Sequence, residues 1–268
     1  MSEKNLRRIA DALERLSPPP RETVSLTAHP AYHWDGKTLA EVTSFAPLPL
    51  ALITGVDRQK AAILENLRRH TKGHAAHDVL LWGARGMGKS ALVKSVTGAL
   101  QETQLSAALV EANAAHLESL PALFALLAGE SRRYILFIDD IGFDGGGSEA
   151  RMLRSMLEGG AEARPENIRL IVTSNRRNIV EREHSDAINV RDETDDALAL
   201  ADRFGLKLGF QYPDQADWLA MVSAYADHFD LSWEEEDALA FAHARGGRSG
   251  RIAWHYAVEL AGRAGRKI

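Results

Sequence analysis

The stretch GARGMGKS at 83–90 limits what this chain can fold into more than any other. It matches G-x-x-x-x-G-K-[ST] at every defined position, a pattern that marks a phosphate loop when a strand precedes it and a helix follows. Both conditions are met. DVLLW (78–82) is a short apolar run, and KSALVKSVTGAL (89–100) repeats its apolar residues at helical spacing. Glycines in such a turn let backbone N–H groups close on phosphate oxygens, and the positive end of the following helix adds to the attraction. Gly83, Ala84, Arg85, Gly86, Met87, Gly88, Lys89, Ser90 and Ala91 are therefore the expected nucleotide cradle. Within it, Lys89 is expected to reach the β- and γ-phosphates and the Ser90 hydroxyl to ligate Mg²⁺. A glycine-rich turn with a surface lysine is the plainer alternative, but it does not account for motif and context together. The loop by itself does not separate kinases, GTPases and ATPases.

The segment YILFIDDIGFD (134–144) is an apolar strand that ends in two aspartates. An acid at the carboxyl end of a strand beside the phosphate loop can hold the Mg²⁺ shell, and Asp139 is that candidate. Asp140 then faces the place of an attacking water, which a carboxylate can orient or deprotonate. Capping the next loop is the plainer role for Asp140. Asp144 is the second candidate for the water. Two adjacent buried carboxylates repel one another without a cation, which itself argues for a metal. LIVTSN (170–175) ends a further strand in Asn175, which can bond the γ-phosphate and water or simply occupy a turn.

The rest of the chain supplies the frame. From 51 to 211, apolar strands (78–82, 106–113, 134–139, 168–175, 206–211) alternate with helical stretches (89–100, 117–129, 149–160). That order predicts an α/β domain with a parallel five-stranded sheet sandwiched by helices. Residues 212–268 read as helices only, a small all-α lid. Pro213 is placed to start the first, Ser232 and Glu235 match a capping box for the second, and 249–262 make the third. Residues 1–50 read as an amphipathic helix followed by an irregular, proline-punctuated extension. With 268 residues and 45% hydrophobic content the chain can bury one large core plus a small one. No apolar run reaches membrane-spanning length and the N-terminus lacks the signature of a secretory signal, so a cytoplasmic location and no membrane partner are expected. The absence of cysteine excludes disulfides and thiolate chemistry. The net charge of −5 gives no global pull toward nucleic acid, although a local basic patch stays open.

Phosphate loop, acid pair, strand-end Asn, Asp-Arg-Phe-Gly and helical lid in one order resemble the AAA+ ATPase superfamily. Within it, LLWGARGMGKSALVKS, ILFIDDIGF, RPENIRLIVTSNRRNI, LADRFGLKLGF and GGRSGRIAWHYA are similar to a family of small bacterial AAA+ proteins of unknown function, over about residues 31–262. The resemblance implies ATP as the nucleotide and ATP hydrolysis as the reaction. It makes Lys89 and Ser90 the phosphate-loop pair, Asp139 the magnesium acid and Asn175 the first sensor. It also makes Arg203 the arginine finger that reaches a neighbouring subunit's nucleotide, and hence implies a homo-oligomer. Arg251, opening a lid helix, resembles the second sensor, and LITGVD (52–57), with Gly55 and Val56, falls where adenine is held. The superfamily usually has Glu where this chain has Asp140. The related family tends to have Asp there and Glu at the position of Asp144, so slow hydrolysis or water activation from Asp144 stays open. A local pair with Asp202 is the plainer role for Arg203, which lies in an apolar run and ahead of a final strand expected to be remote from the chain's own loop.

Other features carry less. Arg176 and Arg177 fit a subunit interface, a phosphate contact or a solvated helix start. His70, His74 and His77 are spaced as possible metal ligands, but they bracket Gly73 in an expected loop with no carboxylate set, so a zinc site is not expected. The polar segment 181–196 reads as a surface insert, and Trp82, Trp218 and Trp254 as core. Three functions remain in order: an ATPase that remodels or loads a macromolecule, a slow-hydrolysing ATP-dependent switch, and a small-molecule kinase. The kinase ranks last because the lid follows the sheet and offers one clear arginine, Arg251.

Overall fold

A computed structural model describes residue 5 and residues 24–103, 107–142, 148–157, 164–175 and 199–268. Among the described residues seven strands form one sheet: β1 (Ala31–Trp34), β2 (Leu39–Glu41), β3 (Val79–Gly83), β4 (Ala107–Ala112), β5 (Arg133–Ile138), β6 (Ile168–Ser174) and β7 (Leu206–Phe210). Their spatial order is β2-β1-β4-β5-β6-β3-β7, and every pairing is parallel except β1 with β2. The helices are α1 (Asp57–Thr71), α2 (Lys89–Glu102), α3 (Leu120–Leu127), α4 (Ser148–Leu157), α5 (Gln215–Phe229), α6 (Glu235–Ala244) and α7 (Gly250–Arg263).

Strand alternation sorts the core into two layers. Val79, Leu81, Leu109, Ile135, Phe137 and Ile171 face α1, α2 and the C-terminal helices. Leu80, Val110, Leu136, Ile138, Leu170 and Val172 face α3 and α4. The mainly parallel α/β sheet covered on both faces is thus as the sequence suggests, but among the described residues it has seven strands rather than five. The two extra strands come from the segment read as an irregular extension. Tyr32 and Trp34 are fully buried there, the Tyr32 hydroxyl donates to Ser25 O at 2.6 Å, and Trp34 Nε1 donates to Ser119 Oγ at 2.8 Å. Asp35 Oδ1 accepts from the N–H of Lys37 and of Thr38, which closes the hairpin from β1 to β2. Helix α1, for which no stretch stood out in the sequence, buries Ile63, Asn66, Leu67 and His70 along one stripe.

The three C-terminal helices form as expected, with different starts. Asp214, not Pro213, caps α5 by accepting from Asp217 N at 2.8 Å. Helix α6 begins at Glu235 after Glu234, with no side-chain cap, so the Ser232–Glu235 capping box does not form. Glu235, Glu236 and Asp237 occupy its first turn, where acids suit the helix dipole. Ser249 caps α7, and its carbonyl accepts from Trp218 Nε1 at 3.1 Å, which ties α5 to the start of α7. Trp218 is core; Trp82 and Trp254 are only half-buried.

Candidate functional site

The phosphate loop is set by its two neighbours in the sheet. β3 ends at Gly83, where a Cβ would lie 2.1 Å from the Phe210 carbonyl oxygen of β7, so only glycine fits. Ala84 N then donates to that same carbonyl at 2.9 Å. Gly86 (φ +75°) and Gly88 (φ +79°) make the left-handed turns that reverse the chain into α2. Beside Gly88 there is open space: a Cβ there would meet nothing within 4 Å.

Lys89 is buried at 6% exposure and donates to Gly83 O (2.8 Å), Ala84 O (2.9 Å) and Asn175 Oδ1 (2.9 Å). Burial lowers its pKa, and the nearby Asp139 and Asp140 carboxylates oppose that shift. Ser90 Oγ donates to both oxygens of Asp139, at 2.8 and 2.9 Å. The Thr173 hydroxyl also donates to Asp139, and it accepts from Asp140 N at 2.8 Å. Thr173 therefore fixes both aspartates from the next strand. Asp140 sits at φ +55°, a conformation that costs an ordinary L-residue about 1–2 kcal/mol and that Asp tolerates better than most. Its carboxylate accepts from Asn175 Nδ2 and from Arg85 Nη2, the latter at 3.2 Å. Neither aspartate is buried, contrary to the sequence reading; both open onto a cavity, and hydrogen-bond donors offset their repulsion.

That cavity, about 770 Å³, gathers Arg85, Gly86, Met87, Gly88, Lys89, Ser90, Ala91, Asp139, Asp140, Asn175, Val56 and Arg251. One end is polar. The other is walled by Leu48, Leu52, Ile53, Met221, Tyr225 and Trp254, with the Tyr225 and Trp254 rings edge to face at 5.4 Å. Thr54, also at the wall, has a buried hydroxyl with no hydrogen-bond partner. Gly83 and Ala84 contribute carbonyls to Lys89 rather than lining. Gly55 is not at the wall either: at φ +73° its Cβ would lie 2.6 Å from Met221 Cε, so it lets the lid approach. The residues fit Mg²⁺ and a nucleotide. Ser90 and Asp139 are a hard-oxygen pair suited to magnesium, and the cavity combines a cation-bearing turn with apolar and aromatic side chains.

Arg203 is elsewhere. The final strand is not remote from the loop, contrary to the sequence reading: β7 pairs directly with β3, Val79 opposite Leu206 and Gly83 opposite Phe210, and only the start of β7 lies away from the loop. Arg203 precedes the start of β7 whereas the phosphate loop follows the end of β3, so about 13 Å of strand separates the two levels. Leu200 and Phe204 take the core positions, and Arg203 is exposed rather than buried in an apolar run. Its Nη1 donates to Ala199 O at 2.6 Å, while the Asp202 carboxylate binds Lys207 at 2.6 Å. His70 lies in the core on α1, its Nε2 3.0 Å from Tyr134 O. Asp144, Arg176, Arg177 and 181–196 lie outside the described residues. Sequence reasoning missed Thr173 and the lid wall of Met221 and Tyr225. A hydroxyl near the end of a mainly apolar strand was the available signal for the first.

No helix among the described residues is long and apolar enough to cross a membrane. The fold is the AAA+ fold. RuvB of Thermotoga maritima, a Holliday junction branch migration motor, is similar over 83% of this chain and 68% of its own, with a TM-score of 0.50 and 18% identity. A point variant of that protein gives 0.53 and 20% over the same shares. ORC1 of Aeropyrum pernix, solved in complex with DNA, is similar over 83% and 66%, at a TM-score of 0.54 and 16% identity. ORC2 of the same organism gives 0.53 and 17% over 84% and 66%. No curated protein matches the sequence. A family model matches residues 27–264, and the chain belongs to that family, described as Protein of unknown function (DUF815).

Proposed function

We propose that this chain is a Mg²⁺-dependent ATPase whose site is completed by Arg203 of a neighbouring copy, and that it couples the hydrolysis to remodelling or loading a macromolecule. The observation that carries the reading is the convergence of Lys89, Ser90, Asp139, Asp140 and Asn175 on one cavity that also has an apolar, aromatic-lined end. Bound Mg²⁺ would neutralise phosphate charge and orient the triphosphate. Lys89, already held by three oxygens, is a fixed cation beside the loop. Ser90 and Asp139 hold the metal's side of the site. Asp140 accepts the proton of the attacking water, and Asn175, bonded to both Lys89 and Asp140, reads the terminal phosphate. Trp254 and Tyr225 exclude water from the base. The exposed Arg203 at the opposite level of the sheet suits a site on another copy rather than its own.

A slow ATP-dependent switch is the second reading. Both oxygens of Asp140 are engaged, by Asn175 and Arg85, and Asp is one methylene shorter than Glu. Phosphate release measured at steady state and in a single turnover, with and without Mg²⁺ and candidate DNA or protein substrates, separates the two. Multiple turnovers dependent on Mg²⁺ support the ATPase. One slow turnover with tight product binding supports the switch. No binding of ATP contradicts both.

A further inference from the structure

Four side chains make one continuous run of contacts across the mouth of the phosphate loop. Lys89 Nζ donates to Asn175 Oδ1 at 2.9 Å, Asn175 Nδ2 donates to Asp140 Oδ1, and Arg85 Nη2 donates to Asp140 Oδ2 at 3.2 Å. Arg85 belongs to the loop itself, at a position the motif leaves free. Its side chain is 72% exposed and that of Asp140 52%. An ion pair so open to water is worth about 0–1 kcal/mol, so it exchanges readily for a better anion. All four residues line the cavity. A terminal phosphate beside Lys89 and Asn175 is such an anion, with more charge and more oxygens than a carboxylate. The planar guanidinium fork can hold either partner, which a lysine at the same position cannot do equally well.

We propose that Arg85 is a γ-phosphate-binding residue supplied by the chain's own loop, and that its move from Asp140 to the terminal phosphate frees Asp140 to take a proton from water. The inference rests on the reading of the cavity as an ATP site. A diphosphate has no γ-phosphate to draw Arg85 away, so Arg85 stays on Asp140. A triphosphate releases the carboxylate in the same step that brings the bond to be cleaved. The role is distinct from that of Arg203, which lies at the other level of the sheet, and from that of Arg251, which comes from the lid.

The test is calorimetric titration of Mg²⁺ with a non-hydrolysable ATP analogue, and of Mg²⁺ with ADP, into the full chain. Loss of a charge-assisted contact made only to the γ-phosphate should weaken the triphosphate about ten- to a hundredfold in Arg85→Ala, and ADP less than about threefold. Arg85→Lys, which keeps the charge, should recover part of the loss. Asp140→Asn removes the competing carboxylate. It should tighten triphosphate binding when Arg85 is present and do so less when it is combined with Arg85→Ala. Equal losses for both nucleotides, unchanged affinities, or an Asp140→Asn gain independent of Arg85 would overturn the inference while leaving the ATP site standing. A wild-type chain that binds neither nucleotide would overturn the ATP reading and this inference with it.

Discussion

The backbone N–H of Arg251 donates to the Gly86 carbonyl at 2.8 Å, so the first turn of α7 is fastened to the phosphate loop by a main-chain bond. The fit is close: a Cβ on residue 86 would stand 3.0 Å from Ser249 Oγ and 3.3 Å from Arg251 Cβ, and Gly86 has φ +75°. Whatever shifts the loop peptide also shifts the lid, which carries Met221, Tyr225 and Trp254 over the other end of the cavity.

Gly86→Ala should therefore loosen the lid. The left-handed backbone alone costs about 1–2 kcal/mol with a Cβ present, and the contact with α7 adds to it. Faster amide exchange at the start of α7, with the sheet still protected, is the expected result. Arg251→Ala, which keeps the main-chain bond, should weaken nucleotide binding without that loss of protection.

Asp140→Asn should keep ATP and Mg²⁺ binding and lower turnover about 10²–10⁴-fold, because an amide cannot accept the proton of water. Phosphate release checks it. Persistent turnover would move the role to Asp144, and the double variant should then be inactive.

His70 gives the fold a pH dependence of its own. Burial lowers its pKa from 6.5 to about 4, and its Nε2 meets a carbonyl, which only accepts, so the neutral Nε2–H form is the one bound. The unfolded chain takes up the proton first. The stability that this group contributes is complete above pH 6.5 and is lost as pH falls from 6.5 toward 4. Between pH 7.5 and 5 the loss is about 2 kcal/mol at the ordinary rate of 1.36 kcal/mol per unit. Urea unfolding of the wild type and of His70→Gln at the two pH values should show a smaller drop in the variant. Equal drops would contradict the assignment.

The five strands β3 to β7 and the phosphate loop were legible because each depends on a contiguous stretch: a mainly apolar run or a motif of eight residues. The hairpin of β1 and β2 was not. Tyr32 and Trp34 lie in a four-residue strand between Pro30 and Gly36, too short to show a period, and its partner β4 lies far along the chain. Ser232 and Glu235 carried a local signal for a cap that does not form, because α6 starts after Glu234. Thr173 was hidden because its importance comes from two aspartates that follow a neighbouring strand. Trp254 read as core because tryptophan is usually well buried, yet it is half-buried and lines the cavity from a helix that only tertiary packing brings there.

The central claim is that the site is built from two copies, and mixing two inactive variants tests it most directly. Lys89→Ala removes the fixed cation of the loop but keeps Arg203. Arg203→Ala keeps the loop but lacks the guanidinium that, in NTPases with such a residue, contributes roughly 10³–10⁵ in rate. Each variant alone should hydrolyse little ATP. Mixed in equal amounts, with co-assembly confirmed by light scattering, they should recover part of the wild-type phosphate release, because some interfaces then join an intact loop to an intact Arg203. Co-assembly without any recovered phosphate release would contradict the account.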